Sequence, residues 1–388
     1  MTFHDTPIFP RGFRCASRNV GLKQSGYDLS LFVSDVPAAA AAVFTRNRFP
    51  GAPVLVGREI IRGGRLRAVV VNSKVSNVGT GKEGIRNAWR MGEAGARELG
   101  CSADEVLMSS TGVIGKQLPI ERIENGLRGM AMDLVGDPLR GAEGIMTTDT
   151  YPKALSLPVG EATITLVGKG SGMLEPNMAT MLVYIFTDAA LDAAVLDRML
   201  RAAVEDTFHM LSVDGDTSTS DSCAILANGL AGEVAEDDFF RALQAGCLRM
   251  TEMLARDGEG ATKLLRAAVR GAAKRAEARR IAKSLINSPL IKTMAFGADP
   301  NIGRVLMAVG KCFDCEIEPA RISVWINDTH IFSEGRKVEY DEARLRELLA
   351  GDPVEIRVDL GVGEGSATAY GCDLTHGYIE ENAAYYSS

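Results

Sequence analysis

The sequence predicts a mixed α/β or α+β fold, in which a mixed or antiparallel sheet packs between helices. Short apolar runs alternate with helical patterns along all 388 residues, and several of these runs pair as hairpins. Hydrophobic residues make up 46% of the chain and charged residues 24%, a composition typical of globular proteins. The length suggests two domains or one large domain.

Strands are predicted where apolar residues run together or alternate with polar ones. Leu66–Val71 and Val106–Met108 each precede polar and glycine residues, as buried strands that end at loops do. Three further segments have the alternation and central turn of hairpins: Ala154–Leu157 with Ala162–Val167, Arg321–Phe332 around Asn327 and Asp328, and Val354–Leu360 with Ser366–Tyr370.

Helical spacing of apolar residues is clear in four segments. Ile85–Leu99 is followed by Gly100, which favours a left-handed helix end, and Asp192 is a natural N-cap for Ala193–Leu211. Phe239–Arg256 and the Ala-, Lys- and Arg-rich Ala272–Leu285 complete the set. Since no composition shift marks a linker, we expect a main region of residues 1–285 and a smaller C-terminal region of residues 286–388.

Composition and charge argue against several classes of function. The 43 Lys and Arg against 50 Asp and Glu give a net charge of −7, which disfavours a nucleic-acid partner. No apolar run approaches the roughly 18–20 residues of a membrane-spanning helix, and the N-terminus lacks the pattern of an export signal. The seven scattered cysteines are typical of reduced thiols, so we expect a cytoplasmic protein without a membrane partner.

The sequence lacks the familiar catalytic and metal-binding motifs. It contains no Gly-x-Ser-x-Gly nucleophile elbow, and its four histidines lie far apart. Cys312 and Cys315 have zinc spacing, but no second pair completes a tetrahedral site. Residues 214–221 lack the glycine and glutamate of a calcium loop, and residues 168–172 lack the phosphate-loop pattern. We therefore expect neither a metal nor a nucleotide cofactor.

The segment Gly168–Phe186 offers a chemistry that needs no histidine. Three glycines and Pro176 predict an irregular loop, and Met181–Phe186 predicts a buried strand directly after Thr180. Attack of the Thr180 hydroxyl on the Ala179 carbonyl, followed by hydrolysis, frees an N-terminal threonine whose own α-amine serves as its base. The local pattern alone leaves this open, and it favours a β-branched residue that simply begins a strand.

Short polar and glycine-rich motifs are spread along the chain in a distinctive order. They are Gly12-Phe13, Val43–Arg48, Ser110–Gly115, Thr147–Thr150 with Pro152-Lys153, Lys169–Met173, Pro176–Leu182, Ser212–Thr219, Asp257–Lys263, Asn287–Thr293 and Asp299–Arg304. In this order they resemble the ornithine acetyltransferase family, also called glutamate N-acetyltransferase or ArgJ. The resemblance extends over nearly the whole chain and favours Thr180 as a nucleophile.

The resemblance implies roles for individual residues. Thr180 is the nucleophile exposed by cleavage between Ala179 and Thr180, which leaves chains of residues 1–179 and 180–388. Thr111 and Gly112 form the oxyanion hole, where a glycine lets a backbone N–H approach the substrate closely. Lys169 suits a substrate carboxylate, and Glu259 suits the amine of an ornithine side chain. The substrate-binding residues are Thr148 or Thr150, Lys169, Thr180, Glu259, Asn382 and Ser387.

The resemblance also implies an activity, a fold and an assembly. The activity is a ping-pong transfer in arginine biosynthesis, in which N-acetylornithine acetylates Thr180 and glutamate then accepts the acetyl group. The fold is an αββα-type sandwich of the N-terminal-nucleophile kind with a smaller C-terminal α/β portion. Two αβ heterodimers pair in the assembly. No cofactor is required, and acetyl-CoA is a co-substrate in bifunctional members.

Four positions depart from the family pattern. Lys74 stands where the family has glycine, Glu381 where it has an apolar residue, Ile302 where tryptophan is common, and Ser387 where it has threonine. These changes bear on the substrate more than on the Thr180 chemistry. The alternatives are a same-mechanism acyltransferase of a secondary-metabolite pathway, an N-terminal-nucleophile amidase or aminopeptidase that passes the acyl group to water, and a non-catalytic amino-acid-binding protein.

Overall fold

The structure, a computed structural model, describes residues 1–175 and 181–383. The chain forms two compact units. The first unit comprises Met1–Gly170, Leu174–His209 and Thr217–Met250, and the second comprises Ser171–Met173, Met210–Asp216 and Thr251–Ser388. The expected division of the chain at residue 285 stays a prediction about its domains.

The described part of the first unit is built on a mixed eight-stranded sheet. Its strands are β1 (Phe13–Arg18), β2 (Leu29–Phe44), β3 (Arg65–Asn72), β4 (Val106–Ser110), β5 (Lys153–Val159), β6 (Ala162–Lys169), β7 (Leu182–Ala189) and β8 (Ser222–Gly232). They lie in the order β4-β3-β2-β8-β7-β6-β5, with β1 paired to β2. The pairs β3–β4 and β7–β8 are parallel, and the others are antiparallel.

Helices cover the sheet of the first unit because each has one apolar face. They are α1 (Ala52–Ile60), α2 (Gly81–Leu99), α3 (Ile120–Leu127), α4 (Pro138–Ile145), α5 (Ala193–Glu205) and the start of α6 (Glu236–Arg256). α1 and α2 pack against β4, α4 against β1 and β2, and α5 against β2. In the core, the rings of Phe32 and Phe186 stack with their centroids 5.4 Å apart.

The described part of the second unit has a six-stranded sheet in the order β12-β11-β10-β13-β9-β14. Its strands are β9 (Leu264–Ala272), β10 (Ser323–Ile326), β11 (Thr329–Ser333), β12 (Arg336–Lys337), β13 (Val354–Asp359) and β14 (Gly365–Cys372). Its helices, besides the end of α6, are α7 (Arg275–Ile286), α8 (Pro289–Phe296), α9 (Ile302–Gly310), α10 (Glu342–Ala350) and α11 (His376–Ala383). α7 packs against β9 and β14, the strands at one edge of the sheet.

The predicted mixed α/β class is confirmed, and so are most of the predicted elements. Two of the three hairpins form, as β5–β6 and β10–β11. Asp192 caps α5 by accepting a hydrogen bond from the Val195 amide at 2.8 Å. However, α5 ends at Glu205 instead of Leu211. α7 begins at Arg275 instead of Ala272, because Ala272 is the last residue of β9.

The third predicted hairpin is wrong. β13 and β14 do not pair with each other, because β9 lies between them, parallel to β13 and antiparallel to β14. The short glycine-rich connection between β13 and β14 therefore passes over β9, a strand that comes much earlier in the sequence. No helix within the described ranges is long and apolar enough to cross a membrane.

Candidate functional site

The oxyanion-hole pair predicted from the sequence follows directly after strand β4. Thr111 is 9% exposed, and its amide N–H donates to the Asn72 carbonyl at 3.0 Å. That amide is therefore already used, so the side-chain hydroxyl of Thr111 is the group left to face a ligand. The hydroxyl accepts a hydrogen bond from the Lys169 ammonium at 3.4 Å.

Gly112 has a backbone conformation that other residues rarely adopt. Its φ is +126°, and a Cβ added here would lie 2.6 Å from the Cα of Lys74 and nearer still to the Lys74 carbonyl. Among the described residues, nothing accepts a hydrogen bond from the Gly112 amide. A close backbone approach and an amide that other described groups do not use are what an oxyanion hole requires.

Lys169 is buried at the end of β6, opposite Leu182 of β7. It is 8% exposed, and its ammonium donates to the Thr147 hydroxyl at 2.7 Å as well as to Thr111. Because Leu182 lies two residues after Thr180 in the sequence, the register of the sheet brings a fixed positive charge close to the start of β7. A buried ammonium of this kind favours a carboxylate or an oxyanion.

A buried carboxylate, Asp149, supports this lysine. Its Oδ1 accepts hydrogen bonds from the Lys153 ammonium and the Gly170 amide, both at 2.8 Å. Its Oδ2 accepts from the Thr147 amide at 3.0 Å and lies 4.0 Å from the Lys169 ammonium. Burial alone would raise the pKa of Asp149, but the charges of Lys169 and Lys153 and these hydrogen bonds lower it to about 2.

A second buried carboxyl, Asp221, lies directly before β8, which pairs with β7. Asp221 is 2% exposed, and its Oδ2 has no hydrogen-bond partner in the described ranges. Burial raises the pKa of Asp221 well above its ordinary value, against the hydrogen bonds from Ser218, Thr45 and the Met181 amide and the charge of Lys169. The Met181 carbonyl accepts from the Ser222 amide at 3.0 Å. A buried carboxyl with a raised pKa thus contacts the residue that follows Thr180.

In the second unit, Glu259 and Asn382 form a separate polar group. The Asn382 side-chain amide donates to the Glu259 carboxylate at 2.7 Å, and Glu259 is 8% exposed. The Glu259 amide donates to the Ser171 carbonyl at 3.0 Å. A Cβ at Gly172 would overlap the Glu259 carboxylate, so a residue larger than glycine there would displace that carboxylate. A carboxylate held in this way suits an amine ligand.

The structure places the remaining predicted site residues as follows. Thr148 is half-buried and Thr150 is exposed, in the segment between α4 and β5. Ala179, Thr180 and Ser387 lie outside the described residues. In the first unit Thr111 and Lys169 come together, and in the second unit Glu259 and Asn382 do. The sequence reasoning assigned no role to Asp149, Lys153 or Asp221, since neither their burial nor their contacts can be read from a local pattern.

None of the described residues forms a group of three His, Cys, Asp or Glu side chains that could hold a metal ion. No disulfide joins the seven cysteines, all of which lie within the described ranges. The polar groups around Thr111 in the first unit, and separately those around Glu259 in the second unit, provide hydrogen bonds and charges of the kind that bind small charged molecules.

Comparison with known proteins identifies the family. The model of the ArgJ family matches residues 14–387. The arginine biosynthesis bifunctional protein ArgJ 2 of Nostoc sp. is 44% identical over 378 residues, which cover 97% of each chain. Glutamate N-acetyltransferase Oat2 of Streptomyces clavuligerus is 44% identical over 387 residues, 98% of each chain.

A solved structure agrees with these sequence matches. A crystal structure of the arginine biosynthesis bifunctional protein ArgJ from Bacillus halodurans matches with a TM-score of 0.51 and 38% identity, over 52% of this chain and 98% of that one. The resemblance seen in the sequence motifs is confirmed. The chain belongs to the ArgJ family of enzymes.

Proposed function

We propose that this protein is a self-cleaving acyltransferase that moves an acetyl group from N-acetylornithine to glutamate in arginine biosynthesis. The names of its relatives, glutamate N-acetyltransferase and arginine biosynthesis bifunctional protein, support this activity. The single structural observation that carries it is the group formed by Thr111, Gly112 and Lys169, two oxyanion donors beside a buried ammonium.

Self-cleavage makes the nucleophile. The Thr180 hydroxyl attacks the Ala179 carbonyl carbon, the peptide C–N bond breaks, and the freed amine takes up the proton. Water then hydrolyses the resulting ester, which leaves chains 1–179 and 180–388. Support comes from the strand that follows: the Met181 carbonyl and amide are both held, by Ser222 and Asp221, so the position at which β7 begins is fixed.

Acetyl transfer then proceeds through an ester of Thr180. The α-amine of Thr180 takes the hydroxyl proton while the oxygen attacks the acetyl carbonyl, and ornithine leaves with that proton. In the second half, the glutamate amine attacks the ester and regenerates the hydroxyl. The Gly112 amide and the Thr111 hydroxyl stabilise the negative oxygen in both halves, and Lys169 adds a positive charge beside them.

The substrate is held by groups of opposite charge. We assign the substrate carboxylate to Lys169 and the side-chain amine of ornithine to Glu259. Thr148 or Thr150, which follow Thr147 in the sequence, also binds the substrate. Asn382 orients the Glu259 carboxylate through its 2.7 Å hydrogen bond, and Ser387 completes the site. No cofactor takes part in this scheme. Acetyl-CoA is an additional acetyl donor if the protein is bifunctional, as the Nostoc relative is named.

We further propose a dimer of αβ heterodimers in the cytoplasm. The absence of disulfides among the seven cysteines supports a reducing compartment.

Acetyl transfer itself is tested by incubating the purified protein with N-acetylornithine, with and without glutamate. The proposal predicts equal amounts of ornithine and N-acetylglutamate when glutamate is present. Release of acetate without N-acetylglutamate would instead identify an amidase, and no reaction in either incubation would leave only binding.

A further inference from the structure

Asp149 lies at the centre of a buried charged cluster beside the proposed acyl-transfer residues. The side chains of Asp149 and Lys153 are both 0% exposed, and that of Lys169 is 9% exposed. Buried ionised groups are costly unless they are paired and hydrogen-bonded. This cluster meets that condition, because each carboxylate oxygen has a hydrogen-bond donor.

Three contacts of Asp149 are with Lys169 or with groups next to it. It holds the Thr147 amide, which fixes the residue whose hydroxyl accepts from Lys169. It holds the Gly170 amide, which fixes the backbone directly after Lys169. Its Oδ2 also lies 4.0 Å from the Lys169 ammonium itself. Asp149 therefore constrains Lys169 in two ways: it holds the backbone at Gly170, and it holds Thr147, whose hydroxyl accepts a hydrogen bond from the Lys169 ammonium.

Lys153 has a different part in the cluster. The Lys153 ammonium lies 2.8 Å from Oδ1 of Asp149, in direct contact. The Lys169 ammonium lies farther away, 4.0 Å from Oδ2 of the same carboxylate. Lys153 thus keeps the carboxylate ionised and in place, while the Lys169 ammonium remains directed towards the hydroxyls of Thr147 and Thr111.

We propose that Asp149 is a positioning residue for acyl transfer, which together with Lys153 presets the Lys169 ammonium to receive the carboxylate of the substrate. This rests on the proposed function, since it gives Lys169 its ligand. Asp149 acts through Lys169 and does not itself touch the substrate.

The test separates positioning of Lys169 from a purely structural ion pair. Replacing a buried pair by neutral residues of similar size is often neutral for folding, so Asp149→Asn combined with Lys153→Met is the main variant. Asp149→Glu, which keeps the charge and displaces the carboxylate by one methylene, is the second variant. Ornithine and its decarboxylated counterpart putrescine are compared as competitive inhibitors, since they differ only in the carboxylate that Lys169 receives.

The proposal predicts that ornithine inhibits both variants about tenfold more weakly than the wild type, a loss typical of one charged contact, while putrescine inhibition changes less than about twofold. Equal weakening of both inhibitors, or no weakening of either, in a variant that unfolds at the wild-type temperature would overturn it. Wild-type protein that fails to transfer acetyl groups would instead overturn the proposed function, which keeps the two failures apart.

Discussion

The substitution Gly112→Ala tests the oxyanion hole most sharply. The φ of +126° is a region that residues with a Cβ rarely enter, and forcing alanine into it costs about 1–3 kcal/mol. The added Cβ would also overlap the Lys74 carbonyl group, which is backbone and cannot rotate away, and such overpacking costs about 1–3 kcal/mol more. We therefore expect the free energy of unfolding to fall by about 2–6 kcal/mol in total.

The effect of Gly112→Ala on catalysis should be larger than its effect on folding alone explains. Relief of the overlap displaces the Gly112 amide from the oxyanion, and loss of one such donor typically lowers the rate by about 10²–10³. Urea unfolding gives the stability, and the initial rate of ornithine release under conditions where the variant stays folded gives the catalytic loss.

Gly115→Ala is the matched control in the same loop. Gly115 also has a positive φ, of +86°, but a Cβ there meets no atom within 4 Å. We expect this control to lose about 1–2 kcal/mol from backbone strain and to keep its acetyl-transfer rate within about threefold. The reasoning is refuted if Gly112→Ala and Gly115→Ala have the same stability and the same rate.

Two further predictions concern the surroundings of the site. Lys74 has a φ of +81°, so Lys74→Gly should raise the free energy of unfolding by up to about 1 kcal/mol. Lys74→Ala keeps the strained backbone and should leave the free energy of unfolding unchanged. Urea unfolding of both variants checks this prediction. Asp221 has a raised pKa in the folded state, so the folded protein holds a proton that the unfolded chain releases above about pH 4. Its contribution to stability is thus fully present below the ordinary pKa and is lost as the pH rises. The neutral variant Asp221→Asn should therefore lose less stability than the wild type in urea unfolding between pH 4 and pH 7, and equal pH dependence of the two proteins would contradict the assignment.

Local sequence signals predicted the elements whose ends are marked by a specific side chain or glycine. Asp192 caps α5, and Gly100, with a φ of +65°, ends α2. Strand β2 escaped prediction because its second half is rich in alanine, a residue that favours helices in isolation. Burial between β3 and β8 makes these alanines part of the sheet, which is a tertiary effect that the local pattern does not contain.

In the candidate site, too, some residues have a local sequence signal and others depend on tertiary contacts. Thr111, Gly112 and Lys169 lie in recognisable motifs, and two of them are in contact in the structure. Asp149 lies inside one of the same motifs, yet its role depends on Gly170, which is distant in sequence and brought near only by the pairing of β5 with β6. Likewise, the raised pKa of Asp221 depends on complete burial directly before the first residue of β8, which no spacing of residues reveals.

The central claim, that Thr180 cleaves its own chain and becomes the nucleophile, is tested most directly by denaturing mass spectrometry. Freshly purified wild-type protein should give two chains, residues 1–179 and 180–388, whose masses sum to the full chain plus one water molecule. Thr180→Ala, which lacks the attacking hydroxyl, should remain a single full-length chain. A wild-type protein that stays intact, with Thr180→Ala behaving identically, would contradict the account.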